Sequence, residues 1–257
     1  MSGRMYATRR QSEILKTVQS KGTCSIAELA QALGVSGETI RRNLKPLSDQ
    51  GLVLRLHGGV ALPDSLHEAP FPKRMHENAE AKHRIAEIVA EEIQDGDTLI
   101  LDCGSTTAFI ARALRGRKNL VAVTNSAEIA RTLATNETNR VFMAGGELRS
   151  DDTASLGASS LDFVRQFQVR HAVLSVGGVA TDGSLMVFHP EEAEFSRVVM
   201  GCAENVIVAA DHSKFLGQGL VRICGAERIN MLVTDLPIPE EIEKKLLADD
   251  VRIKIAQ

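Results

Sequence analysis

The chain has 257 residues, 44% of them hydrophobic and 25% charged, and a formal net charge of -3. That composition excludes a disordered or collagen-like chain and allows one large domain, or a small one plus a medium one. Its apolar runs, VIVAA at 206–210 among them, are too short to cross a bilayer. The basic opening MSGRMYATRR lacks the apolar stretch of a secretory signal, so a cytoplasmic protein is expected.

The charge is unevenly spread. Residues 1–60 hold nine Lys and Arg against four Asp and Glu, a net of +5, while the remainder holds 21 against 29, a net of -8. A basic head on an acidic body reads as a polyanion-binding module joined to something else. Cys24, Cys103, Cys202 and Cys224 lie far apart with no CxxC pair, which argues against a zinc site or a disulfide framework and for a reducing compartment.

In chain order, a first helix is predicted from about Thr8 to Ser20, with Ile14, Leu15 and Val18 on one face. Lys21-Gly22 ends it, and Thr23-Cys24 leads on. Ser25 and Glu28 form a capping-box pattern that opens a second helix, Leu29, Ala30 and Leu33 supply its buried face, and Gly34 sits at its left-handed end. Ser36 caps a third helix in which Ile40, Leu44 and Leu47 face inward. Gly37, Glu38, Thr39, Arg41 and Arg42 are left outside near its N-terminus, the end of a recognition helix that reaches base edges. Pro46 predicts a kink or an early end near Lys45. LVLRL and GGVAL flank His57-Gly58 as a hairpin wing, with Arg55 and His57 available to phosphates. The DNA-contacting set is Ser25, Ser36, Gly37, Glu38, Thr39, Arg41, Arg42, Arg55 and His57.

Residues 61–77 carry Pro63, Pro70 and Pro72 and read as a linker. From 79 onward helix and strand patterns alternate. Helices are expected over 79–94, 106–115, 126–135, 157–167, 190–201 and 239–248. Strands are expected over 97–102, 119–123, 139–143, 171–176, 204–210, 229–234 and 251–255. Continuous apolar runs such as TLILD, AVLSV and VIVAA mark a mostly parallel sheet covered on both faces. The expected organisation is therefore α/β: a winged helix-turn-helix over 1–60, a linker over 61–77, and a larger domain over 78–257 that binds an effector and oligomerises.

Ligands in such sheets bind at the carboxyl ends of strands. There the sequence places Asp102, Gly104, Ser105, Thr106 and Thr107 before a helix, then Thr124-Asn125-Ser126, Gly145-Gly146 with Arg149, Gly177, and Asp211-His212-Ser213-Lys214. Hydroxyls beside free backbone N–H groups at a helix start make a natural phosphate seat. A small polar anion accounts for several such loops at once, although each alone can be turn chemistry. His189-Pro190-Glu191-Glu192-Ala193-Glu194 reads as an acidic helix start, with Pro190 in the first turn, rather than as metal ligands. No metal site and no cofactor are expected.

TIRRNLKPLSDQGLVLRLHGGV, with SIAELAQALGVS before it, resembles the signature of the DeoR-type bacterial regulators. The departures are Asn43, where the family usually has aspartate, and Pro46. DGDTLILDCGSTT, VTNS, GGELR, HPEEAEFSRVVM and AADHSKF extend the resemblance through the body, to a sensor domain similar in fold to ribose-5-phosphate isomerase. It implies a phosphorylated sugar or polyol as effector, with Ser105, Thr106, Thr107, Asn125 and Lys214 around it. The expected function is a repressor of a sugar or polyol catabolic operon, a dimer or tetramer on repeated operator half-sites. Two alternatives are an active sugar-phosphate isomerase with a DNA-binding head and an architectural DNA-binding protein. The isomerase needs a carboxylate to shuttle a proton, and the loop Gly177-Gly178-Val179-Ala180 has acid only at Asp182.

Overall fold

The computed structural model describes residues 9–21, 23–50, 52–56, 59–61, 68–215 and 219–256. They fall into two compact units, divided between Glu68 and Ala69.

In the first unit, α1 (Arg9–Lys21), α2 (Ile26–Leu33) and α3 (Gly37–Asp49) precede β2 (Leu54–Leu56) and β3 (Gly59–Ala61), with β1 (Thr23–Ser25) between the first two helices. The three strands pair antiparallel in the order β1-β3-β2. The helical spacing holds: Ile14, Val18, Leu29, Ile40, Leu44 and Leu47 meet in one buried cluster closed by Val53 and Val60. The capping box at Ser25 and Glu28 is present in both directions, and Gly34 ends α2 at φ 63°.

Pro46 does not end α3. The helix continues to Asp49, and the Gln50 N–H closes on the Pro46 carbonyl at 3.2 Å. A proline ring removes one backbone bond at a cost of about 3 kcal/mol. Leu44 and Leu47, fully buried on either side of it, offset that cost and hold the turn.

The second unit is built on a seven-stranded sheet. Its strands are β4 (Thr98–Leu101), β5 (Val121–Thr124), β6 (Arg140–Met143), β7 (Val169–Ser175), β10 (Ala203–Ala209), β12 (Met231–Thr234) and β13 (Arg252–Ile255). Every pairing is parallel, in the order β13-β12-β10-β7-β4-β5-β6. Successive residues feed opposite cores: Leu99 and Leu101 pack with α5 (Ala79–Glu92), α6 (Ser105–Ala113) and α7 (Ala127–Leu133), while Ile100 packs with α8 (Ala158–Val164), α9 (Pro190–Gly201) and α10 (Glu240–Ala248). That two-sided burial is why the strands read as unbroken apolar runs.

Two features depart from the sequence expectation. A small antiparallel sheet, β8 (Gly178–Val179), β9 (Leu185–Val187) and β11 (Val221–Cys224), stands apart from the main one in the order β11-β9-β8. The expected linker over 61–77 also ends sooner. Residues 69–77 belong to the body, and Phe71–His76 form a helix, α4, with Phe71 and Met75 packed on its core. Residues 62–67 lie outside the described residues.

Candidate functional site

In the head, Ser36 starts α3 in extended backbone, and its Oγ accepts the Thr39 N–H at 3.2 Å and lies 3.0 Å from the Thr39 Oγ1. Asn43 donates back to the Thr39 carbonyl at 2.8 Å, so its side chain braces the helix. Arg41 is half exposed and meets Glu38 only loosely, at 3.5 Å, and Arg42 is exposed. An exposed pair of that kind is worth little and yields readily to a phosphate or a base.

Ser25 spends its hydroxyl on the capping box, accepting the Glu28 N–H at 3.1 Å. Gly37 has a packing reason to be glycine: a Cβ there would fall 3.3 Å from Ile26 Cγ2, where α2 and α3 approach. Arg55 is exposed on β2, opposite Val60, while His57 lies outside the described residues. The head thus presents Thr39, Arg41, Arg42 and Arg55, with Ser36 and Ser25 as caps.

In the body, chain order reverses between β4 and β7. Strands after β4 first run one way through β5 and β6, then resume on its other side at β7. Such a switch point is where open parallel sheets leave a crevice at their carboxyl ends. Asp102 and Ser175 meet there. The Ser175 N–H donates to both Asp102 oxygens, at 3.1 and 3.0 Å, and its hydroxyl to one of them. Burial raises the Asp102 carboxyl well above the usual carboxylate range, against the bonds from Ser175. Gly104 packs tightly beside it: a Cβ would fall 2.1 Å from Ser175 Oγ and 3.2 Å from its Cβ, so the Ser175 hydroxyl would have to shift.

α6 then begins with buried Ser105, Thr106 and Thr107, and no side chain caps it. The Thr107 hydroxyl donates to the Gly104 carbonyl at 3.1 Å. Its first backbone N–H groups are therefore the polar end of a nine-residue helix set at the switch point.

The neighbouring loops divide into committed and open groups. Thr124 Oγ1 accepts the Ser126 N–H, and Ser126 Oγ accepts the Ile129 N–H as the cap of α7, so both serve the turn. Asn125 is fully buried. It donates to the Ser155 carbonyl at 3.2 Å and accepts the Ser155 N–H on its own carbonyl at 2.8 Å, while its side-chain Oδ1 has no partner. The Gly145 carbonyl accepts from Ser160, and a Cβ on Gly146 would fall 2.6 Å from Ser155 Oγ. Lys214, half buried, ends a short turn whose Asp211 accepts the Ser213 N–H at 3.0 Å.

Two expected site residues are otherwise engaged. Arg149 bonds Asp152 through two nitrogens and Glu192 at 2.6 Å. Burial opposes the Arg149 charge, but these carboxylates hold it firmly protonated. Two anions already satisfy it, so it is a strut and not a free anion receptor. Gly177 is buried under Phe188, where a Cβ would fall 2.9 Å from the ring, and its N–H is taken by Met186.

The sequence reading missed Ser175, the partner of Asp102, and Ser155, the partner of Asn125. Only the strand order and the fold-back of the loop after β6 bring them in. Lys82, at the entry to the body, is buried and donates to the Arg74 and Glu77 carbonyls. Burial lowers its pKa to about 8, with Asp211 opposing and Lys214 reinforcing the shift. Among the described residues, no group of His, Cys, Asp and Glu could hold a metal ion, and no helix is long and apolar enough to cross a membrane.

A winged helix-turn-helix joined to a parallel α/β body defines a two-part DNA-binding regulator. Residues 10–66 match the DeoR-like helix-turn-helix domain and residues 77–236 the DeoR C terminal sensor domain. The chain is 37% identical over 251 residues to the glycerol-3-phosphate regulon repressor of Escherichia coli strain K12, covering 98% of this chain and 100% of that one. It is 35% identical to the HTH-type transcriptional repressor CsqR of the same strain, covering 96% and 95%, and 31% identical to the transcriptional repressor AccR of Agrobacterium fabrum, covering 93% and 96%. The chain belongs to the DeoR family, as a DNA-binding transcriptional repressor. Among solved structures, a D-ribose-5-phosphate isomerase in complex with phospho-erythronic acid is 20% identical over 54% of each chain, with a TM-score of 0.40. The fold assignment rests on the strand order, not on that loose likeness.

Proposed function

We propose that the chain represses a sugar or polyol catabolic operon and is controlled by a phosphorylated sugar or polyol bound at the carboxyl ends of β4 and β5. One observation carries this reading: α6 starts buried and uncapped after β4, whose Leu101 pairs with Thr124 on β5, and the next residue, Asn125, has its side-chain oxygen buried without a donor. A helix N-terminus favours an anion by about 0.3–1 kcal/mol, and by more when partly buried. A buried acceptor left unpaired costs about 1–3 kcal/mol, which a ligand hydroxyl relieves. Phosphate and hydroxyl are the two groups that such a pair selects.

In this reading Gly104, Ser105, Thr106 and Thr107 cradle the phosphate, Asn125 accepts a hydroxyl, and Lys214 adds a positive charge. The name of the 37% identical relative supports a three-carbon polyol phosphate as the first compound to try. The body works by binding, without catalysis: the loop Gly177-Gly178-Val179-Ala180 offers no carboxylate to shuttle a proton, and both Asp102 oxygens are occupied by the Ser175 N–H. In the head, Thr39, Arg41 and Arg42 read bases, and Arg55 and His57 hold phosphates. A cytoplasmic dimer or tetramer then occupies half-sites one helical turn apart, or a multiple of it.

The test begins with operator DNA selected by the protein from a random duplex pool. Its retention is measured against sn-glycerol 3-phosphate, ribose 5-phosphate and fructose 6-phosphate. At least one compound shifts operator affinity for the wild type and fails to do so for Lys214→Ala. A wild type indifferent to every compound, or a Lys214→Ala protein with an undiminished response, contradicts the reading.

A further inference from the structure

α4 is the first helix of the body after the head, and it is too short to stand alone. Six residues give barely one hydrogen-bonded turn, well below the length at which isolated helices persist. Its own N-cap is Pro70, which offers no side-chain bond. The cap comes from elsewhere in the fold. Both oxygens of Asp151 accept the Phe71 N–H, at 3.0 and 3.1 Å, and Asp151 also meets Arg74 at 3.4 Å. The far end is held from outside as well, because the buried Lys82 ammonium donates to the Arg74 and Glu77 carbonyls. Asn78 follows in left-handed backbone, φ 51°, and donates to Asp211 at 3.0 Å.

The two anchors belong to two strand-tip loops. Asp211 follows β10. Asp151 lies in the loop after β6, which folds back on β5: Ala154 bridges Ser126, and Ser155 exchanges bonds with Asn125. Asp151 is thus four residues along the chain from Ser155, which bonds the amide nitrogen and the backbone carbonyl of Asn125. Ser155 joins Asn125 to a tight turn, where the Thr153 N–H bonds the Arg149 carbonyl at 2.9 Å. Arg149, locked between Asp152 and Glu192, stiffens that turn.

We propose that α4 couples the two functions: its start is capped by Asp151, so ligand occupancy at Asn125 sets whether this helix, the first of the body after the head, is formed. Asp151 is a positioning residue and touches neither DNA nor ligand. The device is an order–disorder element whose two states the ligand binds with different affinity. This inference rests on the ligand site proposed above.

The test compares the full-length wild type with Asp151→Ala, which removes both acceptor oxygens from a side chain that is 40% exposed. Operator affinity is measured with and without the compound that moves the wild type, and affinity for that compound is measured by calorimetry. A wild-type response in the usual allosteric range, about 5–150-fold, falls below about two-fold in D151A, whose operator affinity stays within about two-fold of one of the two wild-type values, ligand-free or ligand-saturated, while the compound still binds. Hydrogen exchange of residues 71–78 is the second readout. Without ligand, it accelerates in D151A by roughly 5- to 10-fold, as expected for a lost cap, with the sheet unchanged. A full response in D151A overturns the coupling and leaves the ligand site standing. Loss of compound binding in D151A also overturns it, because Asp151 is then part of the site. Unchanged exchange over 71–78 removes the cap itself. A wild type that answers to no compound fails at the ligand site, and the coupling falls with it.

Discussion

The head and the body assemble their candidate sites in opposite ways. The head is assembled from neighbours in sequence: Ser36, Thr39, Arg41 and Arg42 share the first two turns of one helix, so local spacing alone aims them outward. The body assembles its site from strands far apart in sequence, Asp102 against Ser175 and Asn125 against Ser155, and only the strand order unites them. A recognition surface of the first kind is altered by single residues without disturbing the fold. A crevice of the second kind is tied to the core, so its ligand can pull on the core in return.

The largest expected effect tests whether the head folds on its own core. Leu44→Ala removes a side chain that is 1% exposed from a small cluster and costs about 2–5 kcal/mol. Calorimetry shows the head transition lowered or lost and operator binding abolished, with the body transition in place. A single transition that moves as a whole contradicts the division. Gly104→Ala sharpens the body side. Its Cβ displaces the Ser175 hydroxyl from Asp102 and crowds the start of α6, with a penalty of about 1–3 kcal/mol from overpacking. Isothermal titration shows phosphorylated-ligand binding lost while ligand-free operator binding persists. Arg41→Ala and Arg42→Ala reverse that pattern: each weakens operator binding by about 1–3 kcal/mol if it reads a base, or lowers the salt slope by about one if it meets a phosphate. Ligand titration is unchanged in both. Equal loss on all sequences with an unchanged salt slope removes them from the interface.

The contrast also explains what the sequence revealed. The capping box at Ser25 and Glu28, the Ser36 cap and the Ile40, Leu44, Leu47 stripe are short-range signals, and all stand in the structure. Pro46 misled because local propensity favours a stop, whereas the burial of Leu44 and Leu47 in the head's core carries the helix through it. In the body the strands announced themselves by two-sided burial, but three things needed the third dimension. Arg149 read as an anion receptor until Asp152 and Glu192 were seen to hold it. The strands β8, β9 and β11, two to four residues each, carry too little periodicity to be read alone. α4 lay inside a proline-containing stretch because its caps, Asp151 and Lys82, come from other elements.

Two smaller effects complete the comparison. Ser36→Ala removes the α3 cap and costs about 1 kcal/mol, seen as a modest drop in the head transition and in operator affinity together. Lys82 gives the body a pH signature. Its folded pKa, about 8, lies below the ordinary lysine value of 10.5, so the folded state binds fewer protons than the unfolded one. The penalty is full below about pH 8 and fades as pH rises toward 10.5, so the body gains stability across that window. Denaturant melts of Lys82→Met lose this gain. A wild-type body whose stability falls relative to Lys82→Met over the same range contradicts the assignment.

The central claim is that one ligand-binding event in the body and one DNA-binding event in the head share a coupling free energy. Thermodynamic reciprocity tests it most directly. Affinity for the active phosphorylated compound is measured on the full-length protein, free and saturated with selected operator. Operator affinity is then measured with and without the compound. The account predicts that both ratios differ from one and equal each other. Compound binding that is the same with and without operator contradicts it.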